Sequence, residues 1–214
     1  IGDRAFYTCT GLTSIELPNS VTYMGEVVFS WCNNLTSVKL SDNLKEIKDY
    51  SFSRCDKLQD INIPNAVTNI GEGAFSNCSS LKKVSISNPI EIKDNTFYQC
   101  SNLEEVQLLG GALGIGDNAF YSCIKLSDIT ILDVSEEYDG KYSIGANSFS
   151  KCQSLTEITI PKNFTRIGSG AFSSCSNLEK VNILGTMEFI GAGAFYETKI
   201  SSGFVERHIK DKDI

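Results

Sequence analysis

One segment, repeated nine times with different polar residues, constrains this chain more than any other feature. Its clearest copy is residues 70–86, IGEGAFSNCSSLKKVSI, and nine phenylalanines align the copies. Their spacing is 23 residues, except for one interval of 22 and one of 29. A fixed period in the twenties is typical of a solenoid, in which no unit buries its apolar face until neighbours stack on it. The aligned residues are Phe6, Phe29, Phe52, Phe75, Phe97, Phe120, Phe149, Phe172 and Phe195.

Cysteine and leucine keep the same register as the phenylalanines. In the first eight copies a Cys follows the Phe by three residues and a Leu follows the Cys by three, whereas the ninth copy has Thr198 and Ser201. Free Cys is among the most buried residue types, and the spacing lacks the close pairs of a zinc site. We therefore predict a buried ladder of reduced thiols, with no metal and no cofactor.

The apolar period changes inside each unit and predicts two kinds of element. In residues 74–81 the apolar positions fall at i, i+1, i+4 and i+7, the pattern of one face of a two-turn helix. Residues 82–86 alternate, which predicts a short strand with Val84 and Ile86 facing inward. Residues 67–70 predict a second short extended piece. The expected fold is an α/β repeat solenoid, a right-handed superhelix with a parallel sheet on the concave face and short helical turns opposite.

The repeat pattern predicts one elongated array rather than several domains. Residues 1–200 would form about nine units of 23 residues, with a six-residue insertion near 132–142. The remaining residues, 201–214, would either cap the open end or fray. In the capping arrangement Phe204 and Ile209 would cover the exposed core.

The consensus I-G-x-x-A-F-x-x-C-x-x-L-x-x-I-x-I-P closely resembles the BspA-like leucine-rich repeats of bacterial surface antigens. The resemblance covers residues 1 to about 200 and departs from the pattern at the insertion and in the ninth copy. It implies a curved solenoid in a cell-surface or secreted protein that serves adhesion or other protein contacts and has no catalytic activity. The expected location comes from the resemblance alone.

Composition argues against three classes of function. The net charge of -7 and the scattered Lys and Arg residues argue against nucleic-acid binding, which needs a clustered basic face. No apolar run approaches the roughly 18 residues of a membrane span. The only histidine, His208, lies in the charged tail, so a Ser or Cys nucleophile with a His base cannot form inside the array. The sequence therefore predicts a protein that is not an enzyme.

Candidate partner-binding residues lie at outward strand positions and in the insertion. No aromatic residue occupies the outward positions of the predicted concave sheet, so that face is either a weakly committed binding surface or simply solvated. The insertion carries acidic and tyrosine residues and is open to three interpretations: a solvated loop, a partner contact or a calcium site. The candidates are Glu105, Gln107, Asp128, Thr130, Glu157 and Thr159 on the strands, and Glu136, Glu137, Tyr138, Asp139 and Tyr142 in the insertion.

Exposed aromatics are expected on the side opposite the sheet, just after the core Phe. Tyr98 and Tyr121 occupy the same position in successive units and should be neighbours. The sequence leaves the role open between a protein-interaction module, a glycan-binding module and a passive spacer that presents another domain. A thiol-dependent enzyme would require one unusually reactive cysteine.

Overall fold

Each unit adds a short strand to a parallel sheet on what we call the front of the solenoid. The computed structural model describes residues 1–135, 140–201 and 203–204. Six front strands pair side by side, and two more pair only with each other. The six are β1 (Ser14–Glu16), β2 (Ser37–Lys39), β4 (Asp60–Ile61), β6 (Lys83–Ile86), β8 (Glu105–Leu108) and β10 (Asp128–Ile131), and the two are β12 (Glu157–Ile160) and β14 (Lys180–Ile183).

The second extended piece of each unit builds another parallel sheet, which we call the side sheet. The side-sheet strands of the last five units pair one after another, and those of the two units before them form a separate pair. Its strands are β3 (Glu46–Ile47), β5 (Asn69–Ile70), β7 (Ile90–Ile92), β9 (Ala112–Ile115), β11 (Tyr142–Ile144), β13 (Phe164–Ile167) and β15 (Phe189–Ile190). The predicted parallel-strand solenoid is therefore confirmed.

The predicted helical turns are wrong. The segments around each core Phe, which we call the back turns, are successions of tight turns, and only Phe204 among the described residues is helical. In the Phe75 unit, Ser76 and Cys78 donate their N–H groups to carbonyls three residues earlier, at 3.0 and 3.1 Å. Between them, Phe75 and Asn77 donate to Thr96 and Tyr98 of the next unit, at 2.9 and 2.7 Å. Every second amide thus bonds outside its own unit, which an α-helix would not allow.

A repeating left-handed backbone conformation makes this alternation possible. The residues two before and two after each of the nine core Phe side chains have φ between +52° and +65°. Three of these eighteen positions are Gly, and the others include Val27 at φ +59° and Arg54 at φ +59°. A side chain in this region costs roughly 1–2 kcal/mol, so the bonds between units offset a substantial local strain.

The core runs as continuous ladders through all the units. The nine Phe rings stack with centroids 5.1–5.4 Å apart and planes within 13° of parallel. Phe204 closes the far end, buried with its ring edge-on to Phe195 at 5.3 Å. Ile209, the other residue of the predicted cap, lies outside the described residues.

The front sheet is interrupted in the unit that carries the insertion. β10 pairs with β8 but not with β12, although the strands are successive along the chain. The back turns cross the same junction unbroken, because Phe120 donates its N–H to Ser148 at 2.7 Å. The side sheet also continues there, through Ile115 of β9 and Ile144 of β11. The solenoid therefore holds together at this point without its front sheet.

Val27 should be a weak point of the back turns, because a β-branched side chain is strongly disfavoured at positive φ. Asn is the residue found at the same position in three later units, as Asn95, Asn118 and Asn147. We expect Val27→Asn to raise the free energy of unfolding by about 1 kcal/mol in urea denaturation.

Gly193 provides the matched control, since it has φ +64° and a Cβ there would meet nothing nearer than Tyr196 Cβ at 3.8 Å. Gly193→Val should therefore lower the free energy of unfolding through backbone strain alone, by about 1–2 kcal/mol. A less stable Val27→Asn variant, or an unchanged Gly193→Val variant, would contradict this account of the turns.

Candidate functional site

The predicted strand candidates fall into two groups on the front sheet. Asp128 lies in register with Glu105, and Thr130 lies in register with Gln107, so these four side chains form one patch across β8 and β10. Glu157 and Thr159 lie on β12 beyond the interruption and pair in register with β14. The structure therefore brings four of the six candidates together and places the other two on a separate pair of strands.

Charged side chains on the front sheet largely pair with each other between neighbouring units. Lys83 Nζ lies 2.7 Å from Glu105 Oε1, which also accepts a hydrogen bond from Gln107 Nε2 at 2.6 Å. Lys180 Nζ lies 3.1 Å from Glu157 Oε2. Asp128 is exposed, and its carboxylate has no hydrogen bond or ion pair with any described residue, although its backbone N–H donates to Glu104 at 3.1 Å. Exposed pairs of this kind contribute little to stability, so the patch remains free to exchange partners.

The insertion is anchored at both of its described ends. At its first end, Val134 is buried and Asp133 Oδ1 accepts the backbone N–H of Lys162 at 3.1 Å. At its second end, Lys141 forms an ion pair with Glu188, which lowers the pKa of the Glu188 carboxyl. Glu136, Glu137, Tyr138 and Asp139 lie outside the described residues.

Tyr142, the last candidate of the insertion, packs on the scaffold. Its ring meets Phe164 edge-on, with centroids 5.9 Å apart, and the side chain is half-buried. It also lines a groove of about 390 Å³ together with Glu91, Asp94, Asp117 and Lys141. Across the described ranges, no cluster of three or more His, Cys, Asp or Glu residues could hold a metal ion.

The two aspartates of that groove have backbone partners. Asp94 Oδ1 accepts the N–H of Asp117 at 2.7 Å, and Asp117 Oδ1 accepts the N–H of Ala146 at 2.6 Å. The same link between units recurs at Asp49, whose Oδ1 accepts the N–H of Glu72 at 2.8 Å. These aspartates therefore fasten one unit to the next.

The cysteine ladder is confirmed and does more than fill space. All eight thiols are free; seven are buried and Cys9, in the first unit, is half-buried. Each of the seven donates its thiol hydrogen to the carbonyl oxygen of the core Phe in the preceding unit, at 3.0–3.2 Å. The same carbonyl accepts the backbone N–H of the Cys in its own unit, as Phe52 does from Cys55 at 3.1 Å. Cys therefore provides a hydrogen bond between units.

Burial keeps these thiols protonated. It raises the pKa of Cys32 to about 11 and that of Cys55 further, above the ordinary thiol range. The pKa values of Cys78, Cys100 and Cys123 are raised for the same reason. The thiolate is the nucleophilic form, so these residues lack the electropositive and accessible setting of a reactive cysteine.

Rings and cations line up on the outer surface of the back turns. Tyr98 and Tyr121 are neighbours as predicted, with centroids 5.2 Å apart and planes 9° from parallel. Lys151 Nζ lies 4.9 Å from the centre of the Tyr121 ring, and the Arg54 guanidinium lies 4.5 Å from that of Trp31. Each of these contacts joins one unit to the next.

A polar groove that the sequence did not predict lies on the back turns. It crosses the back turns of four successive units and has a volume of about 330 Å³. Its walls are the side chains two and four residues after the core Phe, among them Arg54, Asp56, Asn77 and Gln99. The polar character of these positions was readable from the sequence, but a helix would have turned the position four after Phe inward.

Comparison with known proteins gives a family match and several related structures. A family model described as a BspA type leucine rich repeat region, in six copies, matches residues 1–127 and 90–211. The solved leucine rich repeat protein of T. pallidum is 32% identical with a TM-score of 0.66, and the alignment covers 72% of this chain and 70% of that one. A leucine-rich repeat protein from Bacteroides ovatus is 25% identical with a TM-score of 0.64, covering 92% and 67%.

A more distant structure shares the fold alone. It is a leucine rich cell surface protein from Faecalibacterium prausnitzii, 23% identical with a TM-score of 0.50, aligned over 100% of this chain and 67% of that one. No curated protein matches the sequence. Within the part of the chain that the structure describes, no helix is long and apolar enough to span a membrane.

The burial of the thiols predicts an order of reactivity. We expect native protein treated with iodoacetamide to be alkylated first at Cys9 and only slowly at the seven buried residues, with all eight reacting rapidly in urea. Mass spectrometry of the digested protein assigns the sites. Cys9→Ser should abolish the fast phase, and fast native alkylation of any buried thiol would contradict the ladder.

The raised pKa values also predict alkaline sensitivity. The unfolded state releases thiol protons near pH 9.0 while the folded state retains them, so this stabilisation is complete below pH 9.0 and is lost above it. Each deeply buried thiol should remove about 1.4 kcal/mol of unfolding free energy per pH unit above that point.

Urea denaturation between pH 8 and pH 10.5 measures this loss. Cys78→Ala, which removes one deeply buried thiol, should reduce the steepness of the loss by that residue's share. An identical pH dependence in the parent and in Cys78→Ala would show that the thiols do not control it.

Proposed function

The chain belongs to the BspA type leucine rich repeat family, and from that premise we propose that it is a non-enzymatic protein-interaction module of a bacterial cell-surface or secreted protein, acting in adhesion. Leucine-rich repeat proteins are in general protein-interaction scaffolds without catalytic activity. The similar Faecalibacterium prausnitzii structure is described as a cell surface protein, although its likeness extends to the fold alone. Protonated, buried thiols support a role without nucleophilic catalysis.

The observation that carries the proposal is an acidic patch on the front sheet at β8 and β10. Within the patch, Glu105 and Asp128 lie in register on two adjacent units, and exposed Glu104 directly precedes Glu105. Lys83 forms an ion pair with Glu105. The chain as a whole has a net charge of -7. A surface of this sign attracts a basic patch on a partner protein and raises the association rate at low ionic strength.

The rigidity of the scaffold favours recognition as well. The side chains of the patch stand on paired strands at one-unit spacing, so little backbone ordering is required when a partner binds. The outward positions of the front sheet lack the aromatic residues that dominate most protein hot spots. The expected contact is therefore electrostatic and sensitive to salt rather than an apolar anchor.

A passive spacer is the second candidate, and the pairing of front-sheet charges favours it. Three ion pairs join neighbouring units and leave these charges without a free partner site for a ligand. They are Glu16–Lys39, Lys83–Glu105 and Glu157–Lys180. A spacer needs a stiff and solvated array, and such pairs provide solvation without specificity.

The two functions are separated by neutralising the patch. Glu105→Gln with Asp128→Asn should weaken binding of the immobilised chain to epithelial cells and to purified matrix proteins about fivefold or more, measured at low salt. Glu46→Gln with Glu91→Gln is the matched control, because it makes the same charge change at exposed positions of the side sheet.

The control pair should leave binding within experimental error of the parent. Equal losses in both variants would indicate only a general effect of net charge. If the parent chain bound neither epithelial cells nor any of the matrix proteins, the result would favour the spacer and contradict the interaction module.

A further inference from the structure

The polar groove across the back turns has the geometry of a linear binding site. Arg54 and Asp56 stand at one end, Asn77 and Gln99 in the middle and Ser122 at the other end, one unit after another. The core rings of these four units are spaced by 5.3–5.4 Å, and the polar groups above them recur once per unit. The site therefore presents a hydrogen-bonding group at each step of a regular track.

The side chains of the track are held by their backbone. Arg54, Asn77, Gln99 and Ser122 all have φ between +57° and +60°. Each of the four also donates its N–H to a carbonyl of the next unit, at 2.7–2.8 Å. A ligand binding here would order few main-chain degrees of freedom, which lowers the entropic cost of association.

An aromatic wall runs beside the track at its centre. Gln99 Nε2 lies 3.4 Å from the hydroxyl oxygen of Tyr98, so the amide and the ring are adjacent. One face of Tyr98 stacks on Tyr121, and the corresponding position of the preceding unit is the small, buried Ser76. No ring or cation among the described residues covers the other face of Tyr98.

We propose that this groove binds an extended, neutral oligosaccharide of pyranose units. The amides of Asn77 and Gln99 offer both donors and acceptors, as sugar hydroxyls require. Tyr98 is half-buried and lies beside the groove, within 3.4 Å of the Gln99 amide nitrogen, so the exposed part of its ring offers an apolar surface to a sugar. The interval of 5.3–5.4 Å between units is close to the advance per sugar of an extended pyranose chain.

The charges in the groove are consistent with a neutral ligand. Arg54 is the only cation that lines it and Asp56 the only anion. The guanidinium of Arg54 already stacks on Trp31, at 4.5 Å from the ring centre. Partial burial raises the pKa of Asp56, and the opposing effect of Arg54 is the smaller one. The pair leaves the groove with no net attraction for a polyanion.

An extended peptide fits the groove less well. Peptides that lie along a repeat array usually add hydrogen bonds to free backbone groups or insert side chains into apolar pockets. Here the backbone N–H groups of Arg54, Asn77 and Gln99 already donate to carbonyls of the next unit. Ile124 is the only large apolar residue that lines the groove.

The test uses the intact chain and an array of neutral cello-, xylo-, manno- and malto-oligosaccharides of increasing length, followed by titration calorimetry of the best binder. Asn77→Gly with Gln99→Gly removes both amides, and Gly is favoured at positive φ, so this variant should fold at least as well as the parent. Ser174→Gly is the matched control, at the same position of a unit outside the groove.

We expect affinity to rise with chain length up to the span of the groove and to fall tenfold or more in the double variant, with no change in Ser174→Gly. Tyr98→Ser, which installs the residue of the preceding unit, should also weaken binding. Absence of binding to every oligosaccharide, binding unaffected by the double variant, or displacement of the sugar by an extended peptide would overturn the assignment.

This site is separate from the acidic patch on the front sheet. Glu105→Gln with Asp128→Asn should therefore leave oligosaccharide affinity unchanged. Loss of cell binding with retained sugar binding, or the reverse, distinguishes failure of one proposal from failure of the other.

Discussion

Phe75 donates its backbone N–H to a carbonyl of the next unit, and the same bond recurs at each core Phe from Phe6 to Phe172. The residues two before and two after each Phe make a parallel bond of the same kind, so a single unit leaves three donors unsatisfied on its back. A buried donor without a partner is costly, and stacking the next unit removes that cost. The stacked rings and the thiol bonds to Phe carbonyls follow from the register that these backbone bonds impose.

This constraint explains why the backbone tolerates strain. Left-handed residues recur at eighteen positions, fifteen of them with a side chain that disfavours the conformation. Because left-handed residues alternate with residues of ordinary conformation, every second amide points toward the next unit. Strain inside one unit is thus compensated by bonds between units, and the residue that recurs at a strained position is often Asn, as at Asn95, Asn118 and Asn147.

The sequence predicted the fold well and the back of the molecule poorly. The columns of Phe, Cys and Leu identified the buried ladders, and the alternation near Val84 identified the front strands, because period and burial are directly encoded. The helix was predicted wrongly because the apolar spacing from Ala74 to Leu81 matches one face of a helix. The hydrogen bonds that replace it join different units, so the sequence of a single segment does not indicate them. The groove was missed for the same reason, and the interruption between β10 and β12 has no local signature. The partner-binding role of the insertion and strand residues stays a prediction.

The back turns, more than the front sheet, hold the units together. Amide hydrogen exchange across the junction between β10 and β12 tests it most directly, because there the back bonds continue while the front strands do not pair. We predict that the amides of Asn118, Phe120 and Ser122 are as strongly protected as their counterparts in the central units, whereas the β12 amides that face β10 exchange faster than those of β8. Fast exchange at Phe120 and Ser122, with β12 protected like β8, would contradict the account.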